Sequence, residues 1–265
     1  MNRLSSVVLI FALCSGATAY ATPPSYAVID LGVRQAGEGL TWQDLVSTPA
    51  PPYYPELPDG TGFVFASNNV AVVGYTSFPD LRGWHATKWD IDAKGNVTAP
   101  TDVGQLPGAS RIAAPPSAEA HGVNRVGDVV GVSDAPYTCP HQFCGLSSVE
   151  HAFLWRNGVM TDLGAIAGEQ YNSNANSVND SHEIVGWTET VSRITGDTLS
   201  RAFVYIGGTM YNVTFYLVGG PTVLLSNATA IDCQGNISAI GAPAAGGSEH
   251  SYLLVRQGAP RSCPK

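Results

Sequence analysis

Histidine and aspartate recur at matching positions along this sequence, and together they can do acid–base chemistry or bind a metal ion. Three similar segments, HATKW, HAFLW and HSYLL, begin with a histidine, and a fourth, RAFVY, begins with an arginine. Short segments such as TDVG and TDLG supply an aspartate for each histidine. The resulting pairs are His85 with Asp102, His151 with Asp162 and His250 with Asp30, while Asn212 stands in the segment that accompanies Arg201.

Two interpretations fit these pairs: a ring of catalytic or metal-binding histidines, or a buried His–Asp hydrogen bond that sets strand register in each repeat. A hairpin turn at Asn157-Gly158 would pair Phe153 with Asp162 and make His151 a diagonal neighbour of Asp162. Repetition favours the structural interpretation, because an active site is needed once whereas every buried polar group needs a partner. We therefore assign no catalytic residue, cofactor or metal ligand, and expect that the protein is not an enzyme.

Cysteines offer a second kind of chemistry. Cys139, Cys144, Cys233 and Cys263 remain after an N-terminal export signal is removed, and an even count in an exported chain predicts disulfides. Three connectivities are open, of which the local one joins Cys139 to Cys144 and Cys233 to Cys263. The alternative is a zinc site that combines Cys139 and Cys144 with His141, but a fourth ligand is not evident nearby.

The segment DIDAKGN at 90–96 is similar to the opening of a calcium-binding loop. Lys94 occupies the third ligand position, however, and Thr101 stands where the bidentate glutamate belongs. We expect an elongated hairpin turn here. Nucleophile-elbow, zinc-protease and phosphate-binding glycine motifs are not found in the sequence.

A longer repeat positions all these residues, and it occurs four times. Each copy contains four short segments of strand character: one before an Asn- or Asp-centred turn, a Val-Val-Gly segment, the His-Ala-Phe segment, and one after a hairpin turn. Asn124, Asn179 and Asp232 centre the first turns, where their side chains should bond to backbone. The copies cover about 63–104, 118–164, 174–214 and 227–258, with loop insertions at 33–62 and 134–149.

The fourth copy lacks its last segment, and the matching piece, YAVIDLG, lies at 26–32. This permutation predicts that the N-terminal strand completes the last sheet, which would close the repeats into a ring without exposed sheet edges. We therefore predict an all-β fold, a β-propeller with four four-stranded blades closed by the N-terminal strand.

The repeats resemble the HAF repeat of predicted extracellular bacterial proteins. The resemblance is literal at His151-Ala152-Phe153-Leu154-Trp155, which is followed by Met160-Thr161-Asp162-Leu163-Gly164. The preceding segment at 123–131, with its Val-Val-Gly run, belongs to the same pattern. The resemblance implies an exported repeat protein and supplies no catalytic residues.

The N-terminus also indicates export. Residues 1–21 have the charge, short apolar run and small residues of a signal peptide cleaved near residue 19 or 21, which leaves 22–265 as a single domain. The apolar run is too short for a membrane anchor. A net charge of −8 disfavours nucleic acid as a partner. We expect a monomer that is secreted or periplasmic.

Long connections concentrate on one end of the predicted blades, where binding residues gather on rigid scaffolds. The aromatic and charged residues of these loops suit a glycan or an exported protein, or else they pack the loops as a lid. They are Trp42, Tyr53, Tyr54, Phe78, Asp80, Arg82, Trp84, Tyr137, His141 and Phe143. 

Two functions follow from this loop face. The first is a non-enzymatic binding or scaffold module that recognises a glycan or an exported protein through these loops. The alternative is a hydrolase or lyase acting on extracellular polysaccharide, with a site at the mouth of the central channel. Its acid–base candidates would be His141, Asp80, Asp134 and Glu150.

Overall fold

The computed structural model describes much of the predicted repeat region. It describes residues 23–33, 62–67, 70–78, 81, 83–110, 115–136, 148–168, 170–192, 195–259, 261 and 263. The predicted signal peptide and most of both loop insertions lie outside these residues. No helix within the described ranges is long and apolar enough to cross a membrane.

The described chain is all-β, as predicted, and forms four antiparallel sheets of four strands each. The first sheet contains β2 (Gly62–Ser67), β3 (Ala71–Thr76), β4 (His85–Asp90) and β5 (Thr101–Gly104). The second contains β6 (Ala118–Val123), β7 (Val129–Asp134), β8 (Glu150–Arg156) and β9 (Val159–Asp162). The third contains β10 (Ser173–Val178), β11 (Ile184–Val191), β12 (Thr198–Ile206) and β13 (Thr209–Asn212), followed by a 3₁₀ helix at Val213–Tyr216. The fourth contains β14 (Val223–Ile231), β15 (Ile237–Pro243), β16 (His250–Arg256) and β1 (Tyr26–Val33).

The N-terminal strand takes the fourth place in the last sheet. Strand β1 pairs antiparallel with β16, so that Val28 faces Leu254 and Asp30 faces Tyr252. The two ends of the repeat region are therefore joined within one sheet. This is the pairing that the permuted repeat predicts.

A bulge in the first strand of each sheet explains the glycine that recurs in the second strand. Register shifts interrupt all four first-to-second strand pairings. In the second sheet, a Cβ atom at Gly131 would overlap the carbonyl oxygen of Glu119. Gly186 and Gly241 are in the same position relative to the carbonyls of Asn174 and Leu224. Only glycine permits this close backbone approach.

The sheets pack face to face in chain order, and one hydrophobic cluster fills each of the three junctions between consecutive sheets. Phe153 belongs to the cluster between the first and second sheets, Ala152 to the next, and Leu225 to the cluster between the third and fourth. The first strands of successive sheets also contact one another, β2 with β6, β6 with β10 and β10 with β14. Between the fourth sheet and the first, the described strands show no comparable packing.

Candidate functional site

The three predicted His–Asp pairs are hydrogen-bonded in the structure. The nearest His Nδ1 to carboxylate oxygen distance is 3.0 Å for His85 and Asp102, 2.9 Å for His151 and Asp162, and 2.8 Å for His250 and Asp30. An ionised carboxylate only accepts, so each bond favours the tautomer with the proton on Nδ1. His151 is almost fully buried, with 1% of its side chain exposed, while its partner is partly exposed.

Two of the three aspartates also hold the backbone two residues further on. Asp162 Oδ1 accepts a hydrogen bond from the amide of Gly164 at 2.7 Å, and Asp30 Oδ1 accepts one from Gly32 at 2.8 Å. Both glycines have positive φ, of 64° and 100°. The Asp-x-Gly signature is thus a side chain–backbone turn that also orients a histidine.

The third sheet keeps this turn and loses the pair. Asn212 Oδ1 accepts a hydrogen bond from the amide of Thr214 at 3.0 Å and caps the 3₁₀ helix. Arg201 donates instead to the carbonyl of Ser200, at 2.8 Å. One repeat therefore lacks the His–Asp contact while it keeps the turn.

Hydrogen bonding affects the acidity of Asp30. The hydrogen bond from the amide of Gly32 lowers the pKa of this carboxyl below its usual range, burial opposes it, and His250 lowers the pKa further. The side chain of Asp30 is about one-third exposed, so solvent screens its contribution to stability.

The end of the sheets that carries the turns between first and second strands, here called the turn end, is joined from sheet to sheet by asparagine side chains. Asn124 Oδ1 accepts from the amide of Asp128 within its own turn, while Asn124 Nδ2 donates to the carbonyl of Asn179 in the next sheet, at 3.1 Å. Asn179 repeats this pattern and donates to the carbonyl of Asp232 at 3.0 Å. The sequence predicts the local bonds of these turns; the donation to the next sheet is an additional finding.

Buried carboxylates strengthen the turn end. Asp128, whose side chain is 4% exposed, accepts two bonds from Arg156, each 2.9 Å long, and lies 2.6 Å from His182 Nδ1 of the third sheet. Burial alone would raise the pKa of Asp128, but the hydrogen bonds from Arg156, His182 and Asn124 outweigh it and hold the pKa below its usual range.

The corresponding carboxylate of the third sheet is bonded by one arginine of β16 and by another from the C-terminal tail. Glu183 accepts hydrogen bonds of 2.7 Å from both Arg256 and Arg261. In the fourth sheet, Gly235 occupies the position of His182, and a Cβ there would collide with the Arg256 guanidinium. Burial is again outweighed by hydrogen bonds, here from Arg256, Asn179 and Arg261, and the pKa of Glu183 is lowered.

A disulfide joins the same tail to the fourth sheet. Cys233 and Cys263 are bonded, with their Cα atoms 5.4 Å apart, which agrees with one of the three connectivities. Cys139 and Cys144 lie outside the described residues. The predicted hairpin turn at 90–96 is present: both carboxylate oxygens of Asp92 accept from Asn96, and Oδ1 also accepts from the amide of Lys94.

At the opposite end, here called the loop end, two of the ten predicted binding residues fall in the described chain. Trp84 is 43% exposed and its ring meets Tyr75 edge to face, with the centroids 5.1 Å apart. Phe78 contacts the ring of His85 in the same manner, at 6.0 Å. Eight lie outside the described residues: Trp42, Tyr53, Tyr54, Asp80, Arg82, Tyr137, His141 and Phe143.

Of the two described acid–base candidates of the loop end, Asp134 holds backbone in place with its carboxylate. Asp134 is buried and accepts hydrogen bonds from the amide and the hydroxyl of Ser117, at 2.6 and 3.2 Å. The backbone amide of Glu150 donates to Asn172 Oδ1 at 2.9 Å. Within the described ranges, no group of three or more His, Cys, Asp or Glu side chains could hold a metal ion.

A polar cluster on the first strands was not predicted. His121, the bulged residue of β6, has Nδ1 at 3.0 Å from Asn174 Oδ1 of β10 and Nε2 at 3.4 Å from Glu119 Oε2. Asn176, the bulged residue of β10, donates at 2.7 Å to Asn227 of β14. Alternation of small and polar residues in AEAH and SNAN is the sequence signal that could have indicated it.

Comparison with known proteins adds no family. No family model matches the chain, and no curated protein or solved structure matches it.

Proposed function

We propose that the four sheets form a four-bladed β-propeller of the HAF-repeat type. Three observations support this: face-to-face packing in chain order, contact between successive first strands, and the N-terminal strand within the last sheet. The remaining junction has buried faces on both sides. Val72 and Trp89 lie on the face of the first sheet turned away from the second, and each is 2% exposed. In the fourth sheet, Ser238 is buried on the face that is turned away from the third sheet.

We infer that the protein is exported, with residues 1–21 as a signal peptide cleaved near residue 19 or 21, and acts in the periplasm or outside the cell. The disulfide between Cys233 and Cys263 supports this, because disulfides persist in oxidising compartments. Mass spectrometry of the protein secreted by a bacterial host tests it. A mature chain that begins at residue 20 or 22 is expected, and retention of residues 1–21 would contradict the proposal.

We propose that the exported chain is a non-enzymatic binding or scaffold module that recognises a glycan or an exported protein through the loop end. The contrast between the two ends carries this proposal. At the turn end, polar side chains such as Asn124 and Asp128 bond to neighbouring sheets. At the loop end, Trp84 is exposed beside Tyr75, and the long insertions begin and end there. Binding surfaces are built from such loops on a rigid scaffold.

The observations favour binding over a polysaccharide hydrolase or lyase. A general acid or base must reach the proton that it transfers. Asp134, one of the predicted acid–base candidates, is 1% exposed and is occupied by Ser117.

A deletion of residues 36–60 tests the role of the loop end. The mature chain 22–265 and the deleted chain are compared in a screen against glycans and secreted proteins. We expect binding to be lost in the deleted chain while its thermal unfolding is unchanged. Binding retained at full strength by the deleted chain would reject the loop end as the binding surface.

A further inference from the structure

The polar cluster of the first strands continues into the exposed aromatic residues of the loop end. The ring of Trp84 contacts that of Tyr75. Ala118, the residue before Glu119, donates its backbone amide to the carbonyl of Trp84, so that Trp84 and Glu119 lie close along the backbone. Partial burial raises the pKa of the Tyr75 phenol, and the negative charge of Glu119 raises it further. From Glu119 the contacts run to His121 and then to Asn174. These contacts connect the first three sheets at the loop end.

Backbone contacts hold the aromatic part of this surface in place. The carbonyl of Trp84 accepts hydrogen bonds from the amide of Ala118, at 2.8 Å, and from the side chain of Gln105, at 3.1 Å. The same Gln105 amide donates to the carbonyl of Pro116. The indole is thus exposed on a fixed backbone, which lowers the entropy lost when a ligand binds.

The chemistry of the surface suits a carbohydrate. An exposed indole offers a flat apolar face, while Glu119 offers a carboxylate that accepts hydrogen bonds and Asn174 an amide that both donates and accepts. Sugar rings present the matching combination of apolar C–H faces and hydroxyls. The net charge of −8 disfavours acidic polysaccharides and nucleic acids.

Amides extend the surface toward the fourth sheet. Asn176 donates to Asn227 Oδ1 and to the carbonyl of Ala228, at 2.7 and 2.8 Å. The polar cluster therefore carries a carboxylate and amides from the second sheet to the fourth.

We propose that Trp84, Tyr75, Glu119 and Asn174 form a binding site for a neutral hexose oligosaccharide, in which a sugar ring stacks on Trp84 and its hydroxyls bond to Glu119 and Asn174. This site deepens the proposed binding function and rests on it. His121 lies between Glu119 and Asn174 and contacts both, so it is a positioning residue that orients these two side chains.

Isothermal titration of the mature chain tests the site with three probes: cellohexaose, mannohexaose and maltohexaose. We expect at least one to bind, and Trp84→Ala and Glu119→Gln each to weaken its Kd by about tenfold, the loss of one good contact. Phe215→Ala is the matched control, because Phe215 is an aromatic side chain that is 81% exposed and lies in the 3₁₀ helix at Val213–Tyr216. It should leave the Kd unchanged. Trp84→Phe, which keeps an aromatic ring, should bind with an intermediate Kd.

Three results would overturn the site. One is the failure of all three oligosaccharides to bind the wild-type chain. Another is equal weakening by Phe215→Ala and Trp84→Ala. The third is capture of a secreted protein that the deletion of 36–60 abolishes but Trp84→Ala and Glu119→Gln leave intact. That third result would reject the carbohydrate site while it supports the proposed binding function, so the two proposals fail separately.

Discussion

The two ends of the sheets use polar residues in opposite ways. At the turn end, Asp128 and Glu183 are buried and bonded to arginines, and Asn124 reaches across to the next sheet. At the loop end, Trp84 and Glu119 remain partly open to solvent. Repetition explains the difference: contacts that join neighbouring sheets recur, as the donations of Asn124 and Asn179 do, whereas a ligand site is needed once. Substitutions of the buried residues at the turn end should therefore change stability, and those of the exposed residues at the loop end should change binding.

The largest expected effect is at the turn end. Arg156→Met leaves the buried Asp128 carboxylate without its bidentate partner and should lower the free energy of unfolding by about 4 kcal/mol. Urea denaturation measures this. Arg125 lies in the same turn as Asp128 but is exposed, so Arg125→Met should change the free energy of unfolding by less than about 0.5 kcal/mol. Equal effects of the two variants would contradict the burial of the Asp128 cluster.

The second-largest loss of stability is expected at the C-terminal tail. Cys263→Ser removes the disulfide to Cys233, which closes a segment with a sequence separation of 30 residues, and should cost about 3 kcal/mol. Arg261 should also leave Glu183 more readily once the tail is free. Thermal unfolding of the variant and the wild type, both without reductant, measures the loss. Identical melting temperatures would show that the tail does not stabilise the fourth sheet.

A His–Asp pair should contribute less. His151→Ala leaves Asp162 without its buried partner and should lower the free energy of unfolding by about 2 kcal/mol. Arg201→Ala, at the same position of the third sheet, is the matched control and should change it by less than about 0.5 kcal/mol. Equal losses for the two variants would show that the pair has no role beyond that of any residue at this position.

Acid should weaken the turn end in a defined direction. The pKa of Glu183 is lower in the folded than in the unfolded chain, so its stabilising contribution is present above its unfolded pKa, about 4.3, and is lost as the pH falls through the folded value. Glu183→Gln should therefore show a shallower fall in unfolding free energy below about pH 4. Denaturation curves measured across this pH range test the sign. A fall as steep as that of the wild type would contradict it.

The sequence predicts the fold features that depend on local rules. Turn residues, the recurring Val-Val-Gly and the displaced YAVIDLG segment predict the four-stranded sheets and the place of β1. The diagonal rule for hairpins predicts the contact between His151 and Asp162. These contacts lie within one sheet, where register alone sets distance.

Contacts between sheets could not be predicted from the register of strands within one sheet. His121 is the bulged residue of β6 and meets Asn174 of the neighbouring sheet. The recurring glycine accompanies the bulge, but it does not show which residue of the first strand is displaced or what that residue contacts. Arg261 reaches Glu183 from a tail that follows the last repeat and shares no pattern with it. Alternation in the first strands indicated polar positions, but their partners depend on how the sheets pack.

Closure of the ring is the central claim, and spin-label distances test it most directly. Ile29, Thr101 and Thr161 are exposed and each precedes the aspartate of its own sheet, so they mark equivalent points on the fourth, first and second sheets. Pairs of labels are placed at these positions after Cys139 and Cys144 are replaced by serine, and distances are measured by double electron–electron resonance. A closed four-fold ring predicts that the distance from 29 to 101 matches that from 101 to 161. A distance from 29 to 101 that clearly exceeds the other would show an open stack of sheets and contradict the propeller.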